Sequence, residues 1–135
     1  MKFKFLGIAA VVYIGLAAVS SAFGQTGETL FNGTVGESKV ELTLTRDGEG
    51  LTGDYYYRKS GSANRLKLKG TIAADGSFTM QEFTSAGKQT GTFKGKWKED
   101  ANASGAMLEG EWLKPGQKEE GLGFWAWEQM IDFTT

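Results

Sequence analysis

The chain has no cysteine, no histidine and a single proline among its 135 residues. Without cysteine no disulfide can form, and without histidine neither a Ser-His-Asp nor a Cys-His nucleophile can be assembled. The same two absences remove the usual ligands of zinc and haem. We therefore expect no metal site, no cofactor and no catalytic residues of these classes.

The chain also has no large excess of charge of either sign, since it has 15 basic and 16 acidic residues and a net charge of −1. A nucleic-acid partner would require a basic surface, so we expect none. Glycine, in contrast, is abundant at 20 residues. A chain of this length suffices for one domain.

The first 22 residues have the layout of a secretory signal peptide. Two lysines precede an apolar run over residues 6–19, and the small residues Ser20, Ser21 and Ala22 follow it. Cleavage after Ala22 fits this layout best, and cleavage after Gly24 is the alternative.

A retained membrane anchor is disfavoured, because the apolar run is shorter than the ~20 residues of a spanning helix. We predict a secreted or periplasmic bacterial protein that has no membrane attachment after cleavage. Residues 23–135 then form its single domain.

Apolar and polar residues alternate along the rest of the chain, as in strands with one buried face. Val40, Leu42 and Leu44, for example, are separated by Glu41 and Thr43. Turn signals divide these segments, and the short connections imply that neighbours pair antiparallel. We predict an all-β domain, an eight-stranded antiparallel up-and-down meander closed into a small barrel, with a two-layer β-sandwich as the alternative. The predicted strands are 29–35, 38–46, 51–58, 65–73, 77–83, 89–98, 106–113 and 122–131.

One pattern recurs five times. An apolar residue is followed two positions later by glycine, and two positions after the glycine there is usually a large residue. The three members of such a triple share one face of a strand. Glycine weakens a strand interior, but in a small barrel it permits the sharp coiling that closure requires. We therefore expect crowded backbone at the central glycines. The triples are Phe31-Gly33-Val35, Leu51-Gly53-Tyr55, Leu68-Gly70-Ile72, Phe93-Gly95-Trp97 and Leu108-Gly110-Trp112.

One acidic residue falls in the apolar phase of its predicted strand. Phe78 and Met80 are expected to face the core, and Glu82 shares their phase. An unpaired buried carboxylate is costly, so it needs hydrogen-bond donors or a proton. Its expected donors are tyrosine hydroxyls, indole N–H groups, backbone amides or an arginine. The tyrosines and tryptophans that share the inward phase of their strands are Tyr55, Tyr57, Trp97 and Trp112.

Two interpretations of Glu82 stay open. In the first, which we favour, the carboxylate plugs one end of the barrel through hydrogen bonds or is solvated at the rim. In the second, it anchors a small ligand in an aromatic pocket, and the predicted ligand-binding residues are then Tyr55, Tyr57, Glu82, Trp97 and Trp112.

A glycosidase needs only two carboxyl groups and no histidine. Glu128 is the candidate for a second inward acid, since it alternates with Phe124 and Ala126. Its phase is ambiguous, because Trp125 and Trp127 lie on the other face of the same strand, and the pattern does not decide which face points inward. We predict that the protein is not an enzyme, with a carboxylate-based hydrolase as the alternative.

The segment LTGDYYYRKSGSANRLKLKGTIAADGSFTMQEF, followed by TGTFKGKW and LEGEW, resembles a loose group of secreted or periplasmic bacterial β domains. The shared motifs are Gly-x-Tyr-x-Tyr, Leu-x-Leu-x-Gly, a strand that ends in Glu, Gly-x-Phe-x-Gly and Gly-x-Trp. They cover the chain from about Phe31 to Trp112. The resemblance implies the fold, the export and a place for Glu82 in the pattern, and it implies no activity.

Two further groups share short segments with this chain. Leu51-Thr52-Gly53 and Tyr55 are similar to a strand of avidin-type barrels. Ser60-Gly61-Ser62, expected at a hairpin tip, is similar to the loop that periplasmic lysozyme inhibitors insert into an enzyme cleft.

Three functional hypotheses follow. The leading one is a non-catalytic exported binding or accessory domain whose interface candidates are Trp125 and Trp127, because exposed tryptophans often mark contact surfaces. The second is a lumen binder of a small apolar or aromatic ligand, and the third is a protein inhibitor of a cell-wall hydrolase. The expected partner is thus a protein or a small molecule, and an oligomer could form through the last strand.

Overall fold

The structure is a computed structural model that describes residues 27–99 and 105–129. The predicted signal peptide and both candidate cleavage sites lie outside these residues, as do the last positions of the eighth predicted strand. Among the described residues, no helix is long and apolar enough to cross a membrane.

Eight strands form where the apolar and polar residues alternate, and each begins within one residue of its predicted start. Buried and more exposed positions alternate along them, for example at Val40, Leu42 and Leu44. The strands are β1 (Glu28–Val35), β2 (Ser38–Asp47), β3 (Gly50–Tyr57), β4 (Leu66–Ile72), β5 (Ser77–Phe83), β6 (Gln89–Glu99), β7 (Ala106–Leu113) and β8 (Leu122–Glu128).

Consecutive strands pair antiparallel, and β8 returns to pair with β1, so that the sheet closes into a barrel. The closing register runs from Phe31 opposite Glu128 to Val35 opposite Phe124. The predicted closed meander is confirmed. The sandwich alternative is wrong, because each strand is paired on both sides and the sheet has no break that could separate two layers.

The five central glycines of the triples lie where neighbouring strands approach most closely. A Cβ atom built on any of them would lie less than 3.0 Å from a carbonyl oxygen of the adjacent strand, a separation that real Cβ atoms essentially never show. The expected crowding is therefore present, and backbone rather than a flexible side chain causes it. These glycines are Gly33, Gly53, Gly70, Gly95 and Gly110.

Aromatic rings occupy the middle of the barrel. The Tyr55 and Phe93 ring centroids are 5.3 Å apart, and those of Phe93 and Phe124 are 4.7 Å apart. Because β3, β6 and β8 are not neighbours in the sheet, both contacts cross the interior. All three side chains are fully buried. A ligand at this level would have to displace them.

The two ends of the barrel differ in the residues that close them. The turns after β1, β3, β5 and β7 lie at one end, which we call the Glu82 end because Glu82 lies close to the end of β5. The turns after β2, β4 and β6 lie at the other, which we call the Arg46 end because Arg46 lies close to the end of β2.

Candidate functional site

Glu82 is buried with two hydrogen-bond donors at its carboxylate. Its side chain is 3% exposed, and it is the one charged residue in the buried set of the described chain. The Tyr55 hydroxyl donates to both carboxylate oxygens, at 3.0 and 3.1 Å. The Trp112 indole Nε1–H donates to Oε1 at 2.7 Å. The acid thus joins side chains from β3, β5 and β7 into one interior network.

A glycine lets Trp112 reach this carboxylate. Glu82 on β5 is paired with Gly91 on β6, and Trp112 lies on β7, on the far side of β6. A Cβ atom at Gly91 would collide with the indole ring of Trp112, including its Nε1. The missing side chain at Gly91 therefore makes the space through which the indole crosses to Glu82.

Both inward tyrosines of β3 lie at this end. Burial raises the pKa of the Tyr55 hydroxyl well above its usual value, and the neighbouring Glu82 carboxylate raises it further. Tyr55 therefore stays protonated and acts as a donor. The Tyr57 ring lies 5.6 Å from the Tyr55 ring, centroid to centroid, and burial raises the pKa of its half-buried hydroxyl.

Trp97 does not belong to this group. It lies six residues from Gly91 along β6, which is roughly 20 Å at the rise of a strand. Its ring meets Phe31 edge to face at a centroid distance of 5.5 Å, and the Arg46 guanidinium lies 5.4 Å from its ring centroid. The structure thus brings together Tyr55, Tyr57, Glu82 and Trp112, and it places Trp97 at the Arg46 end.

Arg46 is an inward polar residue that the sequence analysis did not identify. It follows the buried Val40, Leu42 and Leu44 in the same strand phase, which is the signal that identified Glu82. Its Nε atom and the Nε1 atom of Trp97 are buried and have no hydrogen-bond partner in the described part of the chain.

Glu128 also lies at the Arg46 end. Phe124 and Ala126 are buried, which settles the ambiguous phase of β8, and Glu128 is half-buried. Its carboxylate accepts a hydrogen bond from the Ala106 backbone N–H at 2.8 Å. Glu82 and Glu128 therefore lie at opposite ends with packed rings between them, so they cannot flank one glycosidic bond.

The outward residues of β8 include two exposed tryptophans, Trp125 at 46% and Trp127 at 50% exposure. On β7, Glu109 is opposite Trp125 and Met107 is opposite Trp127. We call this surface the tryptophan face, and it consists of Leu30, Asn32, Thr34, Met107, Trp125 and Trp127.

Trp127 also borders a small cleft on the outside of β1. Its volume is about 200 Å³, and polar side chains of β1 and β2, with Arg58 just after β3, supply the other wall. Arg58 in this cleft forms an ion pair with Glu41 at 2.9 Å, and that hydrogen bond holds the pKa of the Glu41 carboxyl below its usual value. Lys39 has no such ion pair within the described residues. The polar lining residues are Asn32, Thr34, Lys39 and Arg58.

The loop that contains Ser60-Gly61-Ser62 is held by its own hydrogen bonds. The Gly61 N–H donates to the Tyr57 carbonyl at 3.1 Å, and the Asn64 side chain donates to the Ser60 carbonyl at 2.6 Å. Gly61 has a positive φ of 88°, which suits glycine. The loop lies at the Glu82 end with Ser60 and Ser62 exposed.

Comparison with models of protein families, with curated proteins and with solved structures finds no match to this chain.

Proposed function

We propose that this protein is a non-catalytic binding domain, exported from the cytoplasm, and that the tryptophan face is its contact surface for a protein partner. The observation that carries the proposal is the pair of half-exposed indoles, Trp125 and Trp127, with the half-exposed Leu30 on the same face. Tryptophan and methionine are enriched in the buried centres of protein interfaces, and contiguous apolar surface is uncommon on soluble monomers.

Closure of the barrel limits how a partner can bind. Since β8 is paired with both β1 and β7, it has no free edge to which another strand could add. A partner, or a second copy of this chain, must therefore use the outward side chains of β8. Trp125 and Trp127 supply large, rigid surfaces for such a contact.

Charge next to Trp127 indicates the chemistry of the partner. Lys39 shares the cleft with Trp127, and it is not engaged in an ion pair with the described residues. Arg58, in contrast, is already engaged by Glu41. The surface therefore suits a partner segment that places an apolar side chain on Trp127 and a carboxylate beside Lys39.

Selection from a library of random peptides tests this proposal, with the Trp127→Ala variant as the counter-selection target. We expect selected peptides to pair an apolar with an acidic residue and to shift the indole N–H resonances of Trp125 and Trp127. Lys39→Glu should weaken their binding about tenfold or more, since it reverses a contact charge. The matched control is Lys96→Glu on β6, which should bind like the wild type.

Three results would overturn the proposal. They are failure to select any peptide that needs Trp127, binding that is unaffected by Lys39→Glu, and self-association that disappears in Trp125→Ser. The last would mean that a second copy of the chain covers this face. Because both tryptophans lie on the outer surface and the core is untouched, these variants should stay folded.

Export is tested separately by sequencing the N-terminus of the protein recovered outside the cytoplasm. The expected first residue is Phe23, or Gln25 if the alternative cleavage site is used. An intact Met1 on a membrane-bound product would contradict export by a cleaved signal peptide.

Inhibition of a cell-wall hydrolase is a second candidate, favoured by the hydrogen-bonded loop with Ser60 and Ser62 at its surface. A preordered loop loses little conformational entropy when it enters a cleft. Lysozyme activity on a peptidoglycan suspension tests it. Inhibition should be lost in Ser62→Trp. It should be kept in the control Ser85→Trp, which alters another loop at the same end of the barrel. Full lysozyme activity in the presence of the wild-type protein would exclude this candidate for that enzyme.

A further inference from the structure

The Arg46 end opens into a cavity that the proposed function does not use. Its volume is about 390 Å³, within the usual range of small-molecule sites. The polar residues that line it continue the inward phases of β1, β2, β6 and β8, so the cavity is the mouth of the barrel. They are Thr29, Arg46, Trp97, Glu99 and Glu128.

Two donors in this mouth lack an acceptor. The Arg46 Nε–H and the Trp97 Nε1–H are buried and have no partner among the residues that the structure describes. Because both groups can only donate, they cannot satisfy one another. Buried donors are nearly always paired with protein or ordered water, so these two leave room for an acceptor from outside the described chain. Beside a guanidinium, a carboxylate is the most favourable acceptor.

Two acceptors in the same mouth are not used by Arg46. Glu99 and Glu128 both line the cavity, but no ion pair within 4.0 Å joins either of them to Arg46. One oxygen of Glu128 accepts from the Ala106 N–H, which fixes the position of that carboxylate. Positive and negative groups are thus held apart around one cavity.

We propose that this mouth is a binding site for a free α-amino acid. Because both donors are covered in the structure, the Arg46 side chain turns as the ligand enters. The carboxylate of the ligand then accepts from Arg46 and Trp97, and its ammonium group donates to Glu99 and Glu128. One arginine and two glutamates leave the mouth with a net charge of −1, which disfavours ligands with an acidic side chain. The site is separate from the tryptophan face, so either proposal can fail without the other.

Titration of the exported protein with three related compounds tests the proposal. L-alanine carries both charges, N-acetyl-L-alanine lacks the ammonium, and L-alaninamide lacks the carboxylate. The readout is the indole N–H resonance of Trp97, which is assigned by its loss in Trp97→Phe. We expect a saturable shift with L-alanine and about tenfold or more weaker binding of the other two, since each lacks one charged contact. The Trp112 resonance should not move.

Arg46→Met should abolish the shift with L-alanine, and an unchanged Trp112 resonance would show that the variant is folded. Arg58→Met, on the outside of the barrel, is the matched control and should bind as the wild type does. The absence of a saturable shift with L-alanine would overturn the proposal and would indicate that the two donors are only hydrated. Two other results would also overturn it. One is that N-acetyl-L-alanine binds as tightly as L-alanine, and the other is that maltose shifts the Trp97 resonance while L-alanine does not.

Discussion

At each end of the barrel interior a charged residue of inward phase lies with a tryptophan: Glu82 with Trp112, and Arg46 with Trp97. At the Glu82 end, acceptor and donors are matched, since the carboxylate receives the indole N–H and the Tyr55 hydroxyl. At the Arg46 end, two donors are placed together and stay unpaired within the described chain. Glu99 and Glu128 are in the same mouth but form no ion pair with Arg46.

This difference separates a part of the interior that maintains the fold from a part that is open to other roles. A satisfied buried network holds three strands in one arrangement, and losing either partner leaves the other unsatisfied. An unpaired buried donor weakens the fold wherever it occurs. Local departures of this kind are expected at functional sites, where the requirements of stability and of binding differ.

The largest expected effect is the loss of the Glu82 network. Glu82→Leu leaves the Tyr55 hydroxyl and the Trp112 N–H without an acceptor, and each costs ~1–3 kcal/mol, so the free energy of unfolding should fall by roughly 2–6 kcal/mol. Glu82→Gln keeps one acceptor and should cost less. Urea denaturation measures both. Glu109→Gln is the control, since its ion pair with Lys98 is on the outer surface and contributes ~0–1 kcal/mol. Equal stability of all three variants would mean that the Glu82 hydrogen bonds do not stabilise the fold.

The barrel strands between the two ends should be the next most sensitive to substitution, at their central glycines. Gly110→Val forces a side chain against the backbone of β6, so we expect a loss of ~1–3 kcal/mol or more. Gly123→Val is the matched control, because a Cβ at Gly123 meets no atom within 4 Å. Thermal and urea melts of the pair should differ clearly. If they coincide, the barrel is not crowded at its central glycines.

Of the two interior ends, alkaline pH should act on the Glu82 end, because its buried tyrosines titrate whereas arginine does not. The pKa of Tyr55 is raised above its unfolded value of about 10, so its contribution to stability is fully present below that pH. As the pH rises further, the unfolded chain loses the proton first, and stability falls by up to about 1.4 kcal/mol per pH unit. Urea melts between about pH 9 and 11 should show a shallower decline in Tyr55→Phe. Parallel declines would contradict the assignment.

Strand phase explains how much of this architecture the sequence could predict. Alternation identifies the inward residues, so the eight strands and the inward phase of Glu82 could be predicted from the sequence, as could tyrosine and indole groups among its possible donors. Phase does not report height along the barrel axis. Trp97 shares the inward phase of Gly91 but lies at the other end of β6, and for this reason the five predicted site residues do not form one pocket.

Hydrogen bonding across the barrel is the second feature that sequence could not supply. Arg46 and Glu82 are both polar residues in an apolar phase, and the pattern does not distinguish them. Whether a partner is within reach depends on which strands lie opposite and on the room between them. At Gly91 that room exists only because a side chain is missing, and a single strand pattern contains no information about the indole that fills it.

The smallest expected effect is at Arg46, and it tests the comparison most directly. Arg46→Met keeps the aliphatic stem that packs in the mouth and removes the guanidinium. The variant loses a cation–π contact with Trp97, worth ~0.5–2 kcal/mol, but it also removes a buried unpaired donor that costs ~1–3 kcal/mol. These opposed terms should leave the free energy of unfolding within about 0.5 kcal/mol of the wild type, or raise it slightly. Urea melts at neutral pH, run beside Glu82→Leu, measure the contrast. A loss as large as that of Glu82→Leu would show that Arg46 is bonded as fully as Glu82, and the two ends would then play the same structural part.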